Sequence, residues 1–119
     1  MKSVKTQIAE KAKADVLDKL CGQVGAVETF LTEVCKTDKL NETDLGNRYE
    51  VTVGQNAAYI EVKDRGLNLA LFTIRNKFLK VKDTVKVLSE VSYGMLDKTR
   101  FPETVKALAE VNWVESHSN

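Results

Sequence analysis

Near the end of the chain an eleven-residue stretch occurs twice with small changes. Asp83-Thr84-Val85-Lys86-Val87-Leu88-Ser89-Glu90-Val91-Ser92-Tyr93 lines up with Glu103-Thr104-Val105-Lys106-Ala107-Leu108-Ala109-Glu110-Val111-Asn112-Trp113, with six positions identical and the copies twenty residues apart. Both place apolar residues at helical spacing: Val85, Leu88, Val91 and Met95 in the first, and Phe101, Val105, Leu108, Val111 and Val114 in the second. The period predicts two similar amphipathic helices, a C-terminal helical hairpin. Asp83 suits the N-cap of the first helix, and Gly94 its fraying end. Pro102 suits the first turn of the second, where a missing N–H is tolerated, and Glu103 suits the positive end of its dipole.

The first third reads as helix from Ser3 to about Lys36. Leu17, Leu20, Val24, Val27, Leu31 and Val34 recur at alternating spacings of three and four, the seam of a helix packed against a partner. Gly22 and Gly25 each weaken the middle by about 1 kcal/mol relative to alanine. They mark either a break between two ordinary helices or a close approach of another backbone. A polar connection over 37–47 follows, with Asn41 and Asp44 spaced to cap a short helical turn and Gly46 placed to end it.

The period then drops to two. Tyr49, Val51 and Val53 alternate with Glu50 and Thr52, and after a Gly54-Gln55-Asn56 turn, Ile60 and Val62 alternate with Tyr59, Glu61 and Lys63. A turn at Asp64-Arg65-Gly66 leads into Leu67 to Ile74, apolar on both faces, which predicts a strand covered on both sides. Arg75 to Lys82 fits a fourth, edge strand through Leu79 and Val81, and fits a loop or helical turn equally well. The predicted fold is therefore a single α+β domain over residues 1–119. It has a long N-terminal helix with a break near Gly22-Gly25, a three- or four-stranded antiparallel meander and the C-terminal helical hairpin.

A chain of 119 residues, 43% hydrophobic and 29% charged, is long enough for one buried core. Lys plus Arg number 18 and Asp plus Glu 17, so no global field draws the protein to nucleic acid or to a membrane, and any charge-based role is local. The opening Met1-Lys2-Ser3-Val4-Lys5 runs into Glu10, Lys11, Lys13, Asp15 and Asp18 without the apolar core of a signal peptide. A cytoplasmic protein is expected, with Cys21 and Cys35 as buried free thiols.

Catalytic chemistry has little to work with. His117 is the single histidine and lies in a polar tail. Two cysteines fourteen positions apart on one helix cannot build a zinc cluster, and the glycines, scattered singly, form no phosphate-cradling loop. Glu90 and Glu110, equivalent in the repeat, are the one suggestive carboxylate pair, and solvated helix faces commonly carry such residues. The expectation is a non-enzymatic protein with no cofactor and no metal.

The chain has more amphipathic helix than one small sheet needs. That predicts a protein-binding module of the adaptor, inhibitor or immunity kind, a homo-oligomer joined through Leu17, Leu20, Val24, Val27, Leu31 and Val34. The alternative lies in 63–86, where seven basic residues face two acids. There Arg75, Lys77, Lys80 and Lys82 are expected contacts to nucleic-acid phosphates, Lys98 and Arg100 are auxiliaries at the tip of the helical hairpin, and Tyr59, Phe72 and Phe78 are candidates for stacking on bases. The same lysines also suit an edge strand guarded against aggregation.

Overall fold

The computed structural model describes residues 4–12 and 14–113. Strands β1 (Tyr49–Val53), β2 (Tyr59–Asp64), β3 (Leu69–Val81) and β4 (Thr84–Tyr93) lie side by side in chain order, every neighbouring pair antiparallel. Helices α1 (Val4–Lys11), α2 (Ala14–Leu17), α3 (Cys21–Asp38) and α4 (Glu42–Arg48) precede the sheet, and α5 (Pro102–Trp113) follows it. The protein is thus α+β with an antiparallel meander, as predicted, but the 75–82 stretch expected as a separate edge strand continues β3, and the fourth strand is β4.

One face of the sheet makes the core. Val51, Val53, Ile60, Val62, Phe72, Ile74 and Val87 point into it from the four strands, and all are buried. Phe30 of α3 sits over them, fully buried. Its ring meets Tyr49 and Phe72 edge-on at 5.3 and 5.6 Å between centroids, and Phe101 at a tilt at 5.4 Å. One aromatic side chain thereby ties α3 to β1, β3 and the entry to α5, and such contacts add to the area buried.

The helical hairpin is where the structure departs from the sequence expectation. The second copy of the repeat is helix α5, but the first is β4, joined to β3 by a two-residue turn at Lys82-Asp83. Val85 and Val91 lie on the helical stripe, but with Val87 and Tyr93 they also fit a period of two. Beside the long β3, the β-branched residues favour the pleated state. The turn carries no glycine or asparagine to announce it, because Lys82 itself takes the left-handed conformation, φ 56°. Asp83 is therefore a turn residue, not a helix cap, and Gly94 follows a strand. A Cβ on Gly94 would stand 2.3 Å from the carbonyl oxygen of Ala70, so the close approach there needs glycine.

The break in the N-terminal helix falls earlier than Gly22 and Gly25. Helix α1 ends at Lys11, a 3₁₀ turn occupies Asp18–Leu20, and both glycines lie inside α3. One unbroken helix over residues 4–38 would be about 52 Å long, more than the 47 Å longest extent of the molecule, so the segment must fold back to bury Val4 and Ile8. Nor is β3 covered on both sides. Its two adjacent buried residues, Leu71 and Phe72, arise from a bulge opposite Val62 and Lys63 that leaves Leu71 without a partner in β2, and no described element covers the outer face.

Polar groups fix how the layers meet. Glu33 of α3 caps α5 from outside that helix: Oε2 accepts from the Glu103 N–H at 3.1 Å, while Oε1 accepts from the Thr104 N–H at 3.0 Å and the Thr104 hydroxyl at 2.7 Å. A carboxylate there answers both the free N–H groups and the dipole, a service Phe101 cannot perform. Asn41 caps α4 as predicted, accepting from the Asp44 N–H at 2.8 Å, and the helix runs on through Gly46.

Candidate functional site

Strand alternation sorts the residues of β3 and β4 between the core and solvent. Opposite pairs on the outer face are Thr73 with Ser92, Arg75 with Glu90, Lys77 with Leu88, Leu79 with Lys86 and Val81 with Thr84. Strand β2 adds Tyr59, directly across from Arg75. Since β2 pairs with β3 only as far as Arg75, the part of the β3–β4 hairpin from Asn76 to Ser89 projects as a two-stranded arm.

That arm carries the basic residues expected from the sequence, but not on one surface. Arg75 and Lys77 share the outer face with Lys86. Lys80 lies on the opposite face, across from Val85, and Lys82 is in the turn. Arg75 also faces Glu90 and donates to the Ser92 hydroxyl at 3.4 Å. Of the three aromatics proposed for stacking, only Tyr59 lies on this face. Phe72 is fully buried and Phe78 lines the inner side, half-buried.

Lys98 and Arg100 belong elsewhere. With the helical hairpin replaced by a strand, they sit in the loop before α5, at the base of the sheet. The Lys98 ammonium lies 4.3 Å from the centre of the Tyr93 ring, and the Arg100 guanidinium meets Oδ1 of Asp38. Asp38 is nearly buried and is also held by Arg48 at 3.0 Å, whose Nε reaches Asp64 at 3.9 Å. The Asp38 carboxylate they share is nearly buried although the arginine side chains are 42% and 45% exposed, so these arginines serve to neutralise a buried charge. Tyr49 beside them has its pKa raised, first by burial; Arg48 opposes the shift and Asp64 reinforces it.

Four large apolar side chains remain in water on or beside the outer face: Tyr59, already a stacking candidate, is 39% exposed, and Leu79, Val81 and Leu88, which the basic pattern did not single out, are 37%, 53% and 38% exposed. Leu79, Leu88 and Val81 neighbour one another diagonally and along β3, with Lys77 and Lys86 between them. The signal was present in the alternation of Leu79 and Val81 with lysine, but a period-two reading sends the apolar residue of such a pair to the core. Here the core side of the arm is taken by Phe78, Val87 and a polar cluster instead.

That cluster holds the arm in register. Gln23 of α3, almost wholly buried, donates through Nε2 to Oδ1 of Asn76 at 2.6 Å and to the Ser89 hydroxyl at 2.8 Å. Asn76 donates back to Oε1 of Gln23 at 2.9 Å and to the Ala57 carbonyl at 2.8 Å, and Ser89 donates to Oδ1 of Asn76 at 2.7 Å. A slip of β4 by one residue would turn Ser89 outward and orphan both amides in a poorly solvated place. The outer face is therefore presented by a rigid element, not by a loop.

The helical seam is directed inward. Leu20, Val27 and Val34 are fully buried in the chain's own core, and Leu17, Val24 and Leu31 are half-buried against it. The partner this stripe called for is the protein's own sheet and α5. Cys21, expected inside, is exposed, and Cys35 is half-buried on the same helix. Glu90 and Glu110 do not form a pair, one lying on the outer sheet face and the other on exposed helix surface.

A cavity of about 640 Å³ is an open groove between α3 and the start of α5, lined by Glu28, Thr29, Lys36 and Glu103 together with the capping Glu33. Among the described residues no group of three His, Cys, Asp or Glu side chains is placed to hold a metal ion, and no helix is long and apolar enough to cross a membrane. His117 lies outside the described residues. Compared with models of protein families, with curated proteins and with solved structures, the chain matches none.

Proposed function

We propose that the protein is a non-enzymatic binding module that presents the outer face of its sheet, extended by the β3–β4 arm, to another protein. One observation carries this reading. On a face that no described element covers, Leu79, Val81 and Leu88 form an exposed apolar cluster among Arg75, Lys77 and Lys86. Open faces of antiparallel sheets ordinarily alternate toward polar residues, and contiguous apolar surface rimmed by charge marks interaction sites. The fitting partner offers an apolar centre ringed by acidic side chains, which would desolvate the leucines and steer the encounter. The helical stripe is no part of this reading, because the chain's own core occupies it.

Nucleic acid is the second reading, favoured by one pairing. Tyr59 stands across from Arg75 on the same bare face, a ring beside a cation, and such a pair can stack a base while holding its phosphate.

Capture experiments with the immobilised full chain, with and without nuclease, separate the two. The protein reading expects a specific, nuclease-resistant partner that is lost on Leu79→Glu/Leu88→Glu and largely kept on Tyr59→Ala. Retention of that partner by the leucine variant would contradict it. Material that disappears with nuclease, binds less as salt rises and is lost on Arg75→Ala/Lys77→Ala would replace it with the nucleic-acid reading.

A further inference from the structure

The outer face of the arm has a pattern as well as a composition. Lys77 stands across from Leu88 and Leu79 across from Lys86, so the four make a square with the leucines on one diagonal and the lysines on the other. Diagonal neighbours on an antiparallel pair lie about 7–8 Å apart, and Val81 lies two residues beyond Leu79 on β3, about 7 Å further. The exposed apolar surface is therefore a line of about 15 Å, one side chain wide, from Leu88 through Leu79 to Val81. Lys77 stands on one side of this line and Lys86 on the other. No salt bridge among the described residues engages either lysine. Glu90, next along β4, is answered by Arg75 across from it.

The N–H and C=O groups of a sheet lie in its plane, so a face offers a visitor side chains only. Whatever lies on it must satisfy its own backbone, as a helix does and an added strand does not. A second sheet does so too, but it packs through a broad apolar face. Here the apolar line is narrow, carries a cation on each flank and lies on an arm two strands across. We propose that the partner covers this line with one amphipathic helix whose apolar stripe is bordered by acidic side chains on both flanks. This rests on the protein-binding reading above and gives the partner its form. A line of about 15 Å takes about ten helical residues, with three apolar side chains at spacings of three or four. One acidic flank then meets Lys77 and the other Lys86, and the helix covers Leu79, Val81 and Leu88 together. The Gln23–Asn76–Ser89 cluster keeps the line intact, since a one-residue slip of β4 would turn Leu88 and Lys86 to the opposite face.

The probe is a three-heptad peptide with leucine at a and d and glutamate at e and g, whose like-charged flanks keep it from pairing with itself at neutral pH. Titrated into the isotope-labelled full chain, it should move the amide signals of 77–81 and 84–88 and gain helical circular dichroism as it binds. A peptide with the same stripe and lysine at e and g should bind at least about tenfold more weakly, and on Lys77→Glu/Lys86→Glu that preference should reverse. No shift at millimolar peptide, shifts away from the arm, or equal binding of the two peptides overturns the proposal. So does a folded variant that still prefers glutamate flanks. Should the variant not fold, the preference of the unaltered chain decides. The capture experiment above keeps the two claims apart. A partner lost on Leu79→Glu/Leu88→Glu, from a chain that ignores the peptide, refutes the helix and leaves the protein-binding reading standing. Retention of that partner by the leucine variant refutes both.

Discussion

Strand β4 and helix α5 are built from nearly the same residues and hold opposite structures. Thr, Val, Lys, Leu, Glu and Val occur in both in the same order, yet Leu88 is 38% exposed while its counterpart Leu108 is fully buried. The differences between the copies are few. Val87 and Ser89 of the strand are Ala107 and Ala109 in the helix, which favours helix in the second copy by roughly 1 kcal/mol in total. Burying Val87 beside β3 contributes about 1.5–3 kcal/mol, and the Gln23–Asn76–Ser89 cluster adds to it. Local preference tilts each copy, and what lies next to it decides. At the first copy a tight turn brings β3 alongside. At the second, Pro102 cannot donate to a ladder, and Glu33 waits to cap a helix.

The sharpest way to break this comparison is to make the first copy more like the second. Val87→Ala/Ser89→Ala should destabilise the protein by about 3–5 kcal/mol, through a cavity on the core side and through the lost hydroxyl partner of Gln23 and Asn76. Denaturant unfolding gives that number. Far-ultraviolet circular dichroism should show no gain of helix, and a gain would mean that side-chain propensity alone decides. Next in size is a matched pair of truncations. Leu108→Ala should cost about 2–5 kcal/mol and Leu88→Ala under about 1 kcal/mol. Equal losses would say that both leucines face a core. Smaller again is Glu33→Ala, expected to cost about 1–3 kcal/mol through the three hydrogen bonds it accepts at the start of α5. Amide exchange should then quicken in the first turn of α5 and stay unchanged in β4.

The smallest effect separates the copies by titration. Burial raises the pKa of Tyr93, in the strand, above the ordinary value of 10.0, whereas Trp113, its counterpart, has no proton to lose near that pH. A raised phenol favours the neutral form in the folded protein. Its contribution to stability is complete below pH 10 and is lost as pH climbs through the folded pKa. Stability should therefore decline on the alkaline side, Tyr49 contributing in the same direction, and Tyr93→Phe should flatten the decline. A slope unchanged by that substitution would place the ring in water.

Strands β1 and β2, the buried stripe of α3 and helix α5 were legible because each has one period that fits and local punctuation that agrees. Asn41 before α4 and Pro102 in α5 are examples. The 83–93 stretch was not legible, since Val85 and Val91 serve a period of two and a helical stripe alike, and the deciding neighbour, β3, is a non-local fact. Lys82 hid the turn by holding a backbone conformation usually left to glycine or asparagine. The same ambiguity blurred the candidate face. The basic character of Arg75 and Lys77 could be read directly. The separation of Lys80 from them, and the company of Leu79, Val81 and Leu88, depend on β3 running unbroken to Val81. The seam of α3 was recognised as a packing surface, but sequence alone could not say that its partner is the same chain.

The central claim is that two stretches sharing six of eleven residues form a strand at 84–93 and a helix at 103–113, and backbone nuclear Overhauser spectra of the labelled protein test it most directly. The account predicts close Hα–Hα contacts between Ile74 and Val91, Asn76 and Ser89, and Phe78 and Val87, the pairs that do not exchange ladder hydrogen bonds, with helical i to i+3 contacts confined to the second copy. Helical contacts running through Val85, Leu88 and Val91, with those three cross-strand signals missing, would contradict it and remove the arm on which the proposed binding face depends.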